Sequence, residues 1–502
     1  MTRWYVLLAL SAGGPAAAAA QDTTTVAPTA TLTLAEALAT ARTNSPTYRQ
    51  TLNDAGPARW GVRSAYGDLL PSASVSGGLG YTGSGQSSFG GTTFSQTSPS
   101  YNSNYGVNLQ WNITGRTLSA PGQAKALERA TTADINAAGT NLKQQVTTQY
   151  LQSLQATAQV EVARQQVLRN IDFLKLAQAR YQVGQATLLD VRQAEVTKGT
   201  SDVALLRAIQ TDNEAKLELI RRMGVVAPIA IDQLKLTDSF PVTAPEFNLD
   251  QLLAAAAEQN PELLAFRARD AAAGANVSAA RSEFLPSLSM SAGWNGFTQQ
   301  FTNSGLLVNQ ALTGAQGQYA NCLDNNTIRS SAGLAPRDCL ATTGLTDPNT
   351  LDPQVQQQII SSNSVFPFNF SRQPFSARLS LSLPIFTGFS RSLRVAQARA
   401  QLQDADESVR ARALQLRTDV QGRYLALGSA YKTIAVQQAN REAAREQLRL
   451  AQDRYRLGSG TALELSDAQN AIQRAEGDYV NAIYGYHIAI AALEAAVGRP
   501  LR

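Results

Sequence analysis

Asp190 and Glu464 occupy matched positions in two stretches that repeat 274 positions apart, and Asp467 follows Glu464 by three residues. Paired carboxylates are the raw material of general acid–base catalysis, but that chemistry needs a nucleophile, base or metal set around them. None is legible. The single histidine, His487, lies inside an apolar helical run and is expected in a packed core, which leaves a His-based triad or metal cluster without ligands. Cys322 and Cys339 have neither C-x-x-C spacing nor a neighbouring His, so a disulfide closing a local loop, worth about 3 kcal/mol, is expected of them in an exported chain. Gly78-Leu79-Gly80-Tyr81-Thr82-Gly83 matches G-x-G-x-x-G, yet it runs from a strand into a flexible loop with no helix after it, so it is discounted as a dinucleotide site. No enzymatic activity and no cofactor are predicted. As the first acids of their helices, Asp190 and Glu464 also suit the positive end of the helix dipole.

The elements that position these acids are duplicated. Arg180-Tyr181-Gln182-Val183-Gly184-Gln185-Ala186-Thr187-Leu188-Leu189-Asp190 returns as Arg454-Tyr455-Arg456-Leu457-Gly458-Ser459-Gly460-Thr461-Ala462-Leu463-Glu464. Each copy sits where a long heptad-patterned segment stops. Tyr181 and Tyr455 end those segments, Gly184 and Gly458 allow the stop, and Thr187 and Thr461 cap a second helix in each copy, so both stretches are predicted to be tips of helical hairpins. The long segments run from about 118 to 181 and 391 to 455, with heptads at Val146, Val160, Val167 and Leu174 and at Val420, Leu427, Ile434 and Leu448. At 1.5 Å per residue each is a rod of about 90 Å. The return helices, about 187–223 and 461–497, are shorter, and end-to-end stacking on helices at 46–70 and 261–285 restores the length.

Leu70-Pro71-Ser72 and Leu285-Pro286-Ser287 are 215 positions apart, and after each the period changes from helical to two. Four strands are predicted, at about 72–81, 105–113, 287–295 and 375–385, with Ser, Asn, Gln or Gly alternating against apolar and aromatic residues. That is the pattern of strands that cross a bilayer. Four cannot close a barrel, so several chains must share one. The connecting loops, about 82–104 and 295–374, are unequal, and the second holds both cysteines.

Arg3, the apolar run Trp4 to Leu10 and the Ala-rich stretch to Ala20 fit a secretory signal over residues 1–20, followed by a flexible leader, 21–31. Beyond it no uninterrupted apolar run approaches the roughly 20 residues of a membrane-spanning helix. Forty-three basic against 38 acidic residues, evenly spread, give no case for nucleic acid as a partner. The remaining division is a first repeat at 32–226, a linker at 227–247 and a second repeat at 248–502.

Leu-Pro-Ser before strands one and three, Leu383-Pro384-Ile385-Phe386-Thr387-Gly388 after strand four, Gln397-Ala398-Arg399-Ala400 and the duplicated Tyr-x-x-Gly-x-x-Thr-x-Leu-Asp/Glu tips together resemble the TolC-type outer-membrane efflux channels over nearly the whole mature sequence. The resemblance implies a fold that is mainly α with a membrane β-barrel portion: a homotrimer whose twelve strands form one barrel in outer-membrane lipid and whose helical hairpins form a periplasmic α-barrel. It further implies a passive conduit of a tripartite efflux or type I secretion system, in the bacterial outer membrane, docked to a periplasmic adaptor and an inner-membrane RND or ABC transporter. Asp190, Glu464 and Asp467 match the family's acids at the periplasmic entrance, where rings of carboxylates would favour cations. Gly460 stands where some members carry a basic residue that latches the closed tip. A secreted coiled-coil scaffold or surface fibre would share the heptads and the signal; detergent requirement and liposome swelling separate the two.

Overall fold

The computed structural model describes residues 31–89, 92–227 and 231–501. The predicted signal segment and the leader up to residue 30 lie outside them. Thr31, placed at the end of that leader, instead pairs with Lys235 in a short parallel ladder of Thr31–Leu32 on Lys235–Leu236, which also gives the linker a strand and a 3-10 turn at Ile231–Gln233. Two compact units are present. One takes the described residues of Met1–Trp60, Lys125–Gly274 and Ala400–Arg502, and the other takes Gly61–Ala124 and Ala275–Arg399.

In the second unit, Ser72–Thr82 pairs antiparallel with Ser100–Ile113, which pairs with Ser287–Phe301, which pairs with Ser376–Ser382 and, further on, with Ser371–Arg372. Register fixes the faces. Val75, Val107 and Trp294 lie side by side, as do Ala73, Leu109, Ala292 and Ala377, and Trp111, Met290 and Leu379, so one face is almost wholly apolar. The other carries Ser74, Asn108 and Gly293, then Gln110, Ser291 and Arg378. Toward the Ser72 and Ser287 end the apolar face is uncovered, with Val75 80% and Leu381 73% exposed.

Strand lengths depart from expectation. The middle two pair over 14 residues, from Ser100 and to Phe301, because each satisfies the other's ladder and polar composition at their ends costs nothing there. The fourth is only seven residues, since Pro374 and Pro384 flank it and lack the N–H a ladder needs. The first connecting loop holds a hairpin, Gly85–Phe89 on Thr92–Thr97. The second folds into helices at Ser304–Ser331, Cys339–Thr343 and Pro353–Ser362, packed around Ala315, Leu345 and Leu351 and tied by a Cys322–Cys339 disulfide with Cα atoms 5.7 Å apart. Its end returns over the sheet: Phe366 meets Tyr101 at 5.4 Å, Phe370 meets Tyr105 at 4.8 Å, and the Ser103 hydroxyl donates to the Pro367 carbonyl.

The first unit is helical. Helices Gly115–Gln182 and Ser390–Arg456 extend the predicted rods at their N-termini, and Leu188–Met223 and Ala462–Val497 return beside them. The duplication is kept in detail: Tyr150 donates to the Leu32 carbonyl and Tyr424, its equivalent, to the Phe247 carbonyl, each just ahead of a short helix, Leu34–Asn44 or Leu249–Gln259. Gly224 abuts Asn44 and Ser45, and Gly498 abuts Gln259 and Asn260, so each return helix stops against the start of the helix at Pro46 or Pro261. The first of these is broken: Asp54 divides Pro46–Asn53 from Ala55–Gly67, where Gly56 and Pro57 make poor helix interior. Ser153, which interrupts the first heptad run, is buried and donates to the Gln149 and Ala215 carbonyls. Arg441, which interrupts the second, stacks on Tyr479 at 3.9 Å. His487 is buried between Tyr486 and Phe240. Among the described residues Ala462–Val497 is long and apolar enough to cross a bilayer by length and composition, although Arg474, Glu476 and Asp478 interrupt it. Its Leu465, Ile472, Tyr486 and Leu493 are buried against neighbouring helices instead.

Candidate functional site: the paired hairpin tips

Both long helices end in the same turn. The Gln185 N–H reaches the Arg180 carbonyl and the Gly184 N–H the Tyr181 carbonyl; Ser459 and Gly458 repeat this on Arg454 and Tyr455. Those bonds close a Schellman cap whose penultimate residue must be left-handed, and Gly184 and Gly458 sit at φ 75° and 80°. Thr187 and Thr461 then cap the return helices, accepting from the Asp190 and Glu464 N–H groups at 3.2 and 3.1 Å.

Beyond the backbone the copies diverge. Asp190 completes a capping box, its carboxylate accepting from the Thr187 N–H at 2.8 Å. Glu464 makes no such return bond and lies 3.6 Å from Arg454. Asp467 is exposed and lines a groove of about 790 Å³ with Gln159, Asn470, Arg474, Asp478 and Asn481. The three predicted carboxylates therefore have three different surroundings within one chain. Tyr181 is 46% exposed, whereas Tyr455 is 2% exposed and meets Phe173 at 5.7 Å. Gly460 is crowded: a Cβ there would lie 3.0 Å from that of Arg454, so a larger residue at this position requires the turn to shift by a few tenths of an ångström.

Sequence reasoning missed the contact that joins the hairpins. Arg180 donates to the Tyr455 carbonyl and lies over the Tyr455 ring at 4.6 Å, while bonding the Gln185 carbonyl of its own turn at 3.1 Å. Burial pushes the Tyr455 hydroxyl up from its ordinary pKa, with Asp190 adding to the rise and the Arg180 cation opposing it. Further along the same seam Glu476 lies 3.2 Å from Arg169 and 3.7 Å from Arg445, and Gln159 donates to the Gly477 carbonyl and to Asn481. Beneath the tips Phe173, Ala177, Val191, Leu448, Leu465 and Ile472 form one apolar cluster. The signal available was the Arg–Tyr pair at the head of both repeats; which copy would be engaged is decided by the other hairpin.

A family pattern described as outer membrane efflux protein matches residues 37–225 and 354–499. The fold is shared with solved membrane proteins. A membrane protein from Pseudomonas aeruginosa is 20% identical, with a TM-score of 0.66 over 93% of this chain and 90% of that one. The outer membrane protein VceC from Vibrio cholerae is 17% identical at 0.65, over 93% and 97%. The CmeC outer membrane channel of Campylobacter jejuni is 14% identical at 0.68, over 93% and 85%. With an amphipathic strand sheet and duplicated helical hairpins, and with the family pattern spanning both repeats, the chain belongs to the outer membrane efflux protein family, as an outer-membrane channel that extends into the periplasm.

Proposed function

We propose that three copies of this chain form a passive export conduit of a tripartite efflux or type I secretion system, opened at the hairpin tips by a periplasmic adaptor working with an RND or ABC transporter. The observation that carries it is the sheet of four main strands: one face largely exposed and apolar, the other polar, and both outer strands with an edge unpaired among the described residues. Lipid offers no partner for such edges, so the sheet must be continued by other chains, and three copies give the twelve strands of a closed barrel. The repeats at 32–226 and 248–502 then supply two hairpins per chain to the helical part.

The tips support gating by local contacts. Arg180 holds one hairpin to the other through Tyr455, and the Glu476 ion pairs extend the seam. Val183, Leu189 and Leu457 are 69%, 73% and 83% exposed, an apolar rim suited to an adaptor whose docking would compete for the seam. Glu464 and Asp467 are the proposed entrance carboxylates. Asp190, tied into its capping box, serves the helix start first.

The test is ion selectivity of purified trimers in planar bilayers. Glu464→Ala/Asp467→Ala is expected to lose cation preference relative to the parent; unchanged conductance and selectivity would remove both residues from the entrance. A soluble protein that leaves liposomes closed would favour a scaffold instead.

A further inference from the structure

Resting on the trimeric-barrel reading, we propose that Arg378 is the charge-selecting residue of the barrel lumen, a ring of three guanidiniums that favours anionic solutes. From Ser72 to Ile113 and from Ser287 to Phe301 there is no Asp, Glu, Lys, Arg or His. In the fourth strand, Ser376–Ser382, Arg378 is the one charged residue. Its place on the sheet is set by register. It lies opposite Ser291, on the face that carries Ser289, Gly293, Ser376, Ser380 and Ser382, and the apolar Ala377 and Leu379 flank it on the other face. Arg372, opposite Gly296 on the short Ser371–Arg372 strand, falls on that other face, toward the far end of the sheet.

The serine-bearing face becomes the lumen when the apolar face meets lipid, since a guanidinium on the lipid side at mid-strand is costly and lumen positions instead tune selectivity. No carboxylate stands on the strands to neutralise Arg378. The neighbouring positions on the same face are serines, so the ladder needs no cation for packing, and the side chain is exposed. Three such charges about 10 Å from the pore axis, in water with 0.1 M salt, shift the relative permeability of cations and anions by about five-fold, and less as salt shortens the screening length. The class of solute favoured is small anions and the carboxylate, phosphate or sulfonate ends of larger ones.

Reversal potentials of purified trimers in a KCl gradient test this. Arg378→Gln and Arg378→Ser, the latter matching its neighbours, should each lower the chloride-to-potassium permeability ratio about five-fold at 0.1 M salt and by much less at 1 M. Arg378→Glu should lower it further, and Arg378→Lys should keep the parental ratio. The entrance carboxylates are unchanged in all four, so they contribute equally. A neutral variant that conducts with the parental ratio overturns the assignment alone; a purified protein that does not insert into a bilayer as a trimer overturns the barrel reading with it.

Discussion

Arg180→Ala removes the charged side chain that the first hairpin tip lays on Tyr455 of the second. Its guanidinium lies 4.6 Å from the Tyr455 ring centre, worth about 1 kcal/mol at a partly buried site. The charged hydrogen bond to the Tyr455 carbonyl adds about 1.5 kcal/mol, the low end of the range for charged donors because the site is half wet. The bond to Gln185 stays within its own turn and does not count toward joining the tips. With some overlap between the two terms, the engaged state loses about 2 kcal/mol, a factor of about 30 in its ratio to the separated one. Single-channel open probability in planar bilayers reads that ratio directly. Two controls isolate the cause. Arg454→Ala, at the equivalent position, removes a side chain 58% exposed and 3.6 Å from Glu464, and should change the ratio by less than about three-fold. Tyr455→Phe keeps ring and carbonyl and removes a hydroxyl that has no hydrogen-bond partner among the described residues, so it should leave the tips engaged. An Arg180→Ala trimer with parental open probability, or an equal effect from Arg454→Ala, refutes the assignment.

The sheet and the helical unit each give a further expected outcome. Leu379→Arg, on the apolar face, should cost about 2–4 kcal/mol of membrane stability and reduce heat-stable trimer in outer-membrane fractions, whereas Ser380→Arg, one residue on, should assemble at parental yield. Glu218 accepts from Arg221 and Arg222, and these bonds, Arg221 foremost, hold its carboxyl down to about 2, below its ordinary 4.5. A folded-state value depressed in this way contributes stability that is complete above about 4.5 and disappears as pH falls through about 2. Glu218→Gln should therefore lower stability at pH 7, by less than about 1 kcal/mol because Arg221 is largely exposed, and by progressively less as pH falls from about 4.5 through about 2.

The features legible in the amino-acid sequence are those with a local cause. Alternation of Ser with Val, Leu and Trp sets both faces of the sheet, and the Gly and Thr of each tip turn set a helix stop and a helix start, because capping and pleating act within a few residues. The remainder depends on residues distant in sequence. Ser100 to Asn104 looks like loop by composition and becomes strand because Phe297 to Phe301 pairs with it. The segment between the third and fourth strands has no period long enough to read, yet it folds around Leu345 and Leu351 under a disulfide. Leu345 and Leu351 lie in the residues between the two matched family segments, whereas Pro353–Ser362 falls mostly within the second.

The tips show how one difference between duplicated sequences propagates. Thr187 and Asp190 form a reciprocal capping box, while Thr461 and Glu464 form half of one, and the extra methylene of Glu is not the reason: Thr33 and Glu36 complete the box elsewhere in this chain. The difference lies in the preceding arginine. Arg180 is held by Tyr455 of the other hairpin and leaves Asp190 to the helix start; Arg454 has no such engagement, stands 3.6 Å from Glu464, and competes for its carboxylate with the Thr461 N–H. Tyr455 is buried because Arg180 and Phe173 cover it, whereas Tyr181 has no matching cover among the described residues and is exposed. One inter-hairpin contact thus decides which tyrosine is core, which arginine is a clasp and which acid remains available to the entrance, so the same eleven-residue turn serves as a seam in one copy and as a charged rim in the other.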